Sequence, residues 1–150
     1  MAKAQAATEY LIMFALVVII ALIVAGVLGG FPQIGGTVSE RQSQAYWATA
    51  EVGIIKYNFH TDPAKTRVTF RNNNNYPIRI DRASFDYMSL RIGRNLAPGG
   101  SFEVNGSNTV SCWPSAGKYY YNVTVYYTDL QSGSQLTFFG DEPLVGTCQP

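Results

Sequence analysis

Apolar and polar positions are spread unevenly along this chain. Residues 10–39 carry no charged side chain, and within them Tyr10 to Phe31 form a 22-residue apolar run, YLIMFALVVIIALIVAGVLGGF. A helix of that length reaches roughly 33 Å, against a hydrocarbon core of about 30 Å. Helix is required in lipid, where the backbone must satisfy its own hydrogen bonds, despite the β-branched Val and Ile. The run is apolar on every side, so it needs lipid, other copies of itself, or both as neighbours. Gly29, Gly30, Pro32, Gly35 and Gly36 then weaken the helix and predict a kink or melted joint, read either as a tether or as a hinge. Ser39 to Ala45 returns to helix-forming composition, which predicts one or two further turns.

From about residue 50 the period changes to two. Tyr, Phe, Val, Thr and Asn alternate between turn clusters, predicting strands near 51–59, 66–71, 77–86, 101–105, 118–128 and 135–140, with an extra one near 88–92. The separators are Thr61-Asp62-Pro63, Asn72 to Asn75, Ala97-Pro98-Gly99-Gly100, Asn105-Gly106-Ser107 and Gln131-Ser132-Gly133. Val68 and Phe70 alternate with Thr69 and Arg71, and Ile78 and Ile80 with Arg79 and Asp81, so both strands read as half-buried. In 118–128 the alternation places Tyr119, Tyr121, Val123, Val125 and Tyr127 on the core face. Tyr120 and Tyr126 then face outward, either as interface aromatics or as cover for the sheet.

Charge adds little beyond this division. Charged residues make up 14% of the 150 positions and apolar ones 47%, which excludes a disordered polyelectrolyte. Eleven Lys and Arg against ten Asp and Glu give a net charge of +1, so nucleic acid is not an expected partner.

The N-terminal edge, KAQAATEYL from Lys3 to Leu11, places a carboxylate at the mouth of the apolar run, where charge is costly and marks a function or partner. A cleaved secretory signal would have a shorter apolar stretch, and a plain signal anchor is the simpler alternative. These residues resemble the class III signal of archaeal type IV pilins. The resemblance implies that a prepilin peptidase cuts between Lys3-Ala4 and Gln5, leaving the helix on the mature chain. The leader here ends in Lys-Ala where Lys-Gly or Arg-Gly is commoner. Gln5 would become the new N-terminus, and Glu9 matches the family's glutamate. A freed amine with a pKa near 8 could pair with Glu9 during assembly, each charge offsetting the other's desolvation. The simpler role for Glu9 is to complement the dipole of the first helical turn. The segments VTFRNNNNYPIRI and GKYYYNVTVYYTD also resemble the β-sandwich heads of pilin-like proteins.

Cys112 and Cys148 are the only cysteines, an even count in a head expected outside the membrane, and we read them as a disulfide rather than two buried thiols. Asn105-Gly106-Ser107 and Asn122-Val123-Thr124 are sequons, making Asn105 and Asn122 glycosylation candidates. His60, beside a turn, reads as a solvated residue rather than a base, and Asp141-Glu142 is an isolated acidic pair. No nucleophile elbow or phosphate loop appears, so neither catalysis, a metal nor a cofactor is expected.

The expected fold class is α+β: a long N-terminal transmembrane or filament-core helix followed by an antiparallel β-sandwich head. The expected division is a leader at 1–4, a hydrophobic helix at 5–28, a joint and connecting helical segment at 29–50, and the head at 51–150. The resemblance implies a structural subunit of a surface filament. Its partners would be itself, the peptidase, the pilus assembly machinery and the cytoplasmic membrane. The alternative is a monomeric, membrane-anchored binding module with an extracellular β-sandwich.

Overall fold

The computed structural model describes residues 2–27, 38–106 and 109–150, with side chains described over 9–24 and throughout the two later stretches. Two compact units emerge, Met1–Thr37 and Val38–Pro150. In the first, helix α1 spans Ala2–Val27. Every side chain over 9–24 is exposed within that unit, from 74% for Tyr10 to 42% for Val18 among the large apolar ones. The Gly/Pro joint at 29–36 lies outside the described residues.

The second unit opens with helix α2, Glu40–Thr49. Part of the segment expected to connect therefore belongs to the body. The hydroxyl of Ser39 caps α2 by accepting the Gln42 N–H at 3.2 Å. The strands follow as β1 Val52–Asn58, β2 Arg67–Asn72, β3 Ile78–Phe85, β4 Met88–Leu96, β5 Ser101–Asn105, β6 Lys118–Tyr121, β7 Val123–Asp129, β8 Gln135–Phe139 and β9 Leu144–Thr147. A short 3-10 turn, Pro63–Lys65, separates β1 from β2. All strand pairs are antiparallel, in three sheets ordered β1-β2-β5, β4-β3-β7-β8 and β6-β9.

This corrects the expected architecture on two counts. Among the described residues no helix is long and apolar enough to cross a membrane. The body is also divided into three sheets instead of the expected sandwich. The third sheet exists because the strand expected over 118–128 breaks at Asn122. There the Asn122 N–H donates to Asp86 Oδ1 at 3.0 Å, and the Asn122 carbonyl accepts the Asp86 N–H at 2.9 Å. With both backbone groups engaged by the β3–β4 turn, β6 leaves the four-stranded sheet and pairs with β9. Alternation still runs through the break: Tyr119, Val123, Val125 and Tyr127 are buried, and Tyr121 is half-buried.

Bulges explain why burial along β1 and β3 does not keep a single parity. Register shifts between Ile54 and Lys56 and between Ile80 and Arg82. Val52 and Ile54 are thus followed inward by Phe59, and Ile78 and Ile80 by Ala83 and Phe85. Phe59 lies at the centre of an aromatic cluster, with ring centroids 4.9 Å from Tyr119, 5.3 Å from Tyr121 and 5.3 Å from Phe85. Ser43 on α2 donates its hydroxyl to the Pro143 carbonyl at 2.8 Å and accepts the Val145 N–H at 2.9 Å. Trp47 on the same helix is fully buried.

Cys112 and Cys148 are bonded, with Cα atoms 5.6 Å apart. Around them the Cys112 N–H donates to the His60 carbonyl, and the Gln149 N–H to the Phe59 carbonyl. The bridge thus ties the loop before β6 and the C-terminal segment to the end of β1. In the unfolded chain it would close a loop of 36 residues, so its removal is expected to cost about 2–5 kcal/mol. Denaturing alkylation without reductant should label neither cysteine. Two labelled thiols would overturn the pairing.

Candidate functional site

The residues singled out by sequence are not gathered at one site. Lys3, Ala4 and Gln5 lie on the α1 backbone, with side chains outside the described residues. Glu9 is exposed at the start of the described apolar stretch. That stretch presents Leu11, Phe14, Val18, Ile19 and Leu22 to solvent around the helix. Such a surface associates with apolar neighbours, since each large side chain it buries gains about 1.5–3 kcal/mol.

The sequons sit at strand ends. Asn105 closes β5 opposite Arg67, and Ser107 of its sequon lies outside the described residues. Asn122 is exposed between β6 and β7, with its Nδ2 donating to Asp86 Oδ1 at 3.1 Å. His60 forms a parallel bridge with Gln149, and its Nδ1 lies 3.1 Å from the Pro150 carbonyl. Asp141 and Glu142 are engaged by α2: the Asp141 N–H donates to the Tyr46 hydroxyl, and Glu142 Oε1 accepts from Gln42 Nε2. Among the described residues no three His, Cys, Asp or Glu side chains group to hold a metal.

The two outward tyrosines differ. Tyr120, 41% exposed, stands on β6 opposite Val145. Tyr126 is half-buried, and the Arg82 guanidinium carbon lies 4.2 Å from its ring centroid. Arg82 also pairs across β3–β4 with Arg91, while Tyr126 pairs with Thr137 on β8. One row of the outer face therefore reads Arg91, Arg82, Tyr126, Thr137, and the adjacent row Ser89, Ser84, Thr124, Phe139. Sequence reasoning missed this row. The signal was available, because Arg82 and Arg91 are equidistant from the Asp86-Tyr87 turn and a two-residue hairpin sets such positions opposite each other.

Beneath this sheet, burial pushes the Tyr121 hydroxyl up to about 12, with the nearby Tyr87 and Asp86 adding to the shift. Burial also raises Tyr119 and Tyr127, and Tyr127 donates to Glu51 Oε1 at 2.6 Å, a bond that favours the protonated phenol. Unfolded tyrosine titrates near 10. Above that pH the folded state holds protons that the unfolded state releases, so stability falls as pH rises. Urea midpoints are expected to be unaffected by these phenols below pH 10 and to drop steadily from 10 to 12. A midpoint that rises over that interval would contradict the burial of these phenols. Compared with known proteins, the chain has no matching family model and no match among curated proteins.

Proposed function

We propose that the chain is a structural subunit of a type IV pilus-like surface filament, with its apolar N-terminal segment packed among copies and its body displayed for surface contact. The observation carrying this reading is the apolar surface of residues 10–24, exposed around the whole helix in a single chain. A monomer in water gains nothing from that surface, whereas packing among identical segments covers it on every side. The resemblance of KAQAATEYL to a class III signal adds a processing site just ahead of it. The Cys112–Cys148 bridge suits a body that works outside the reducing cytosol. Before assembly the segment would lodge in the cytoplasmic membrane, and the prepilin peptidase and assembly machinery would act on it there.

The test is the N-terminal mass of the cell-associated chain together with its recovery in sheared surface material. Loss of Met1 to Ala4 and recovery in filaments are expected. An intact leader, with the chain held wholly in membranes, would replace this reading with that of an anchored binding module.

A further inference from the structure

We propose that the outer face of the β4-β3-β7-β8 sheet binds an acidic polysaccharide, with Arg82 and Arg91 receiving its sulfate or carboxylate groups. The two arginines are direct cross-strand partners, and both side chains are exposed. Like charges placed opposite each other destabilise a sheet, so an oxyanion bound along this row offsets that cost. Their planar forks match carboxylate and sulfate oxygens two at a time.

The local carboxylate does not supply that anion. Asp81 pairs with Arg79 Nε at 3.0 Å and accepts the Thr128 hydroxyl at 2.8 Å. Among the described residues, Arg79 and Arg67 alone lie within ion-pair distance of a carboxylate. Arg82 is instead steadied over Tyr126, which aims its charge without neutralising it.

The surroundings favour a saccharide over other polyanions. A depression of about 420 Å³ is lined by Arg82, Ser89, Arg91 and Thr109, so two short hydroxyl side chains share it with the arginines. Thr109 is placed there by the loop after β5, whose Gly106 carbonyl accepts the Val110 and Thr109 N–H groups. Gly106 has no room for a side chain, since a Cβ would lie 2.5 Å from the Pro63 carbonyl oxygen and 2.7 Å from that of Val110. Single-stranded nucleic acid stacks successive bases on several aromatics, whereas Tyr126, the aromatic of the arginine row, is covered by Arg82 and leaves Phe139 of the adjacent row as the exposed ring.

The experiment uses the full chain, dispersed in a nonionic detergent, on columns of heparin, polygalacturonate, neutral dextran and single-stranded DNA. Retention on heparin or polygalacturonate is expected, with none on dextran and weaker retention on DNA. The first two columns separate sulfate from carboxylate as the group preferred. Arg82→Gln and Arg91→Gln should each weaken polysaccharide binding about tenfold, with Arg71→Gln on β2 as an unaffected charge control. The melting temperature of Arg91→Gln should equal or exceed that of the wild type, because a like charge opposite Arg82 is removed, whereas Arg82→Gln also gives up its contact with Tyr126. Failure of the wild type to bind either polysaccharide, an equal loss in Arg71→Gln, tighter binding to DNA, or a lower melting temperature in Arg91→Gln would overturn the proposal. Binding is read on dispersed subunits, so the result is independent of whether the chain polymerises.

Discussion

Trp47→Ala is expected to destabilise the body by about 3–5 kcal/mol, the largest loss available to one substitution in α2. Trp47 is fully buried, meets Phe138 edge-on at 6.1 Å and Tyr46 at 5.3 Å, and lies directly against Gly140. Truncation would leave a cavity between α2 and the chain leaving β8, which a helix pinned at Ser43 cannot close. Domains of this size hold about 5–15 kcal/mol, so the variant would keep only a fraction of its stability.

Gly140→Ala should destabilise by about 1–3 kcal/mol, because its Cβ would enter the indole ring. Combining the two changes should cost less than their sum, as the added methyl occupies part of the cavity. Urea titration followed by near-ultraviolet dichroism measures each term. A loss below about 1 kcal/mol for Trp47→Ala would show that α2 is not integral to the core. Fluorescence gives a second check. Trp113 is 82% exposed, so the emission remaining in Trp47→Ala should be that of a solvated indole.

That α2 docks through Trp47 was not legible in the sequence, because its first turn, Glu40 to Ser43, is wholly polar and the segment read as a connector. What secures the helix is tertiary. The Ser43 hydroxyl bridges the Pro143 carbonyl and the Val145 N–H, residues a hundred positions away. The Asn72 to Asn75 run was legible as a turn, but its structural content was not. Asn72 is fully buried and donates its Nδ2 to the Tyr76 and Leu96 carbonyls, while Asn73 donates to those of Ala48 and Ala50.

Strand positions with strict alternation were readable because a period of two leaves a trace in residue type. Val68, Phe70, Ile78 and Ile80 are fully buried, as that alternation requires. Bulges and the break at Asn122 leave no such trace. They are set by partners: Asp86, at a φ of 50°, offers its carboxylate to Asn122 only once the β3–β4 hairpin exists. The same gap in local information hid β9, whose short LVGT segment gains its identity from pairing with β6.

Glu9 offers the sharpest separation of assembly from anchoring in the proposed filament. Glu9→Ala is expected to leave the chain in the membrane fraction, because removing a charge beside an apolar stretch favours lipid. Leader removal should persist if the peptidase reads Lys3, Ala4 and Gln5. Filament yield should collapse, because the freed Gln5 amine would then enter the packed segments without a partner. Breaking a buried pair in this way costs about 3–5 kcal/mol for each subunit added. Glu9→Gln distinguishes charge from hydrogen bonding: a yield as low as that of Ala assigns the effect to charge, and a milder loss to the bond. Cyclisation of the N-terminal Gln5 would remove the amine charge and give the wild type itself an assembly defect, which the mass of the mature terminus reveals. The measurement compares cleaved, membrane-held subunit with sheared filament from the same cells. Wild-type yield from Glu9→Ala would rule out the pairing and leave Glu9 as a partner of the helix dipole, worth about 0.3–1 kcal/mol in the first turn.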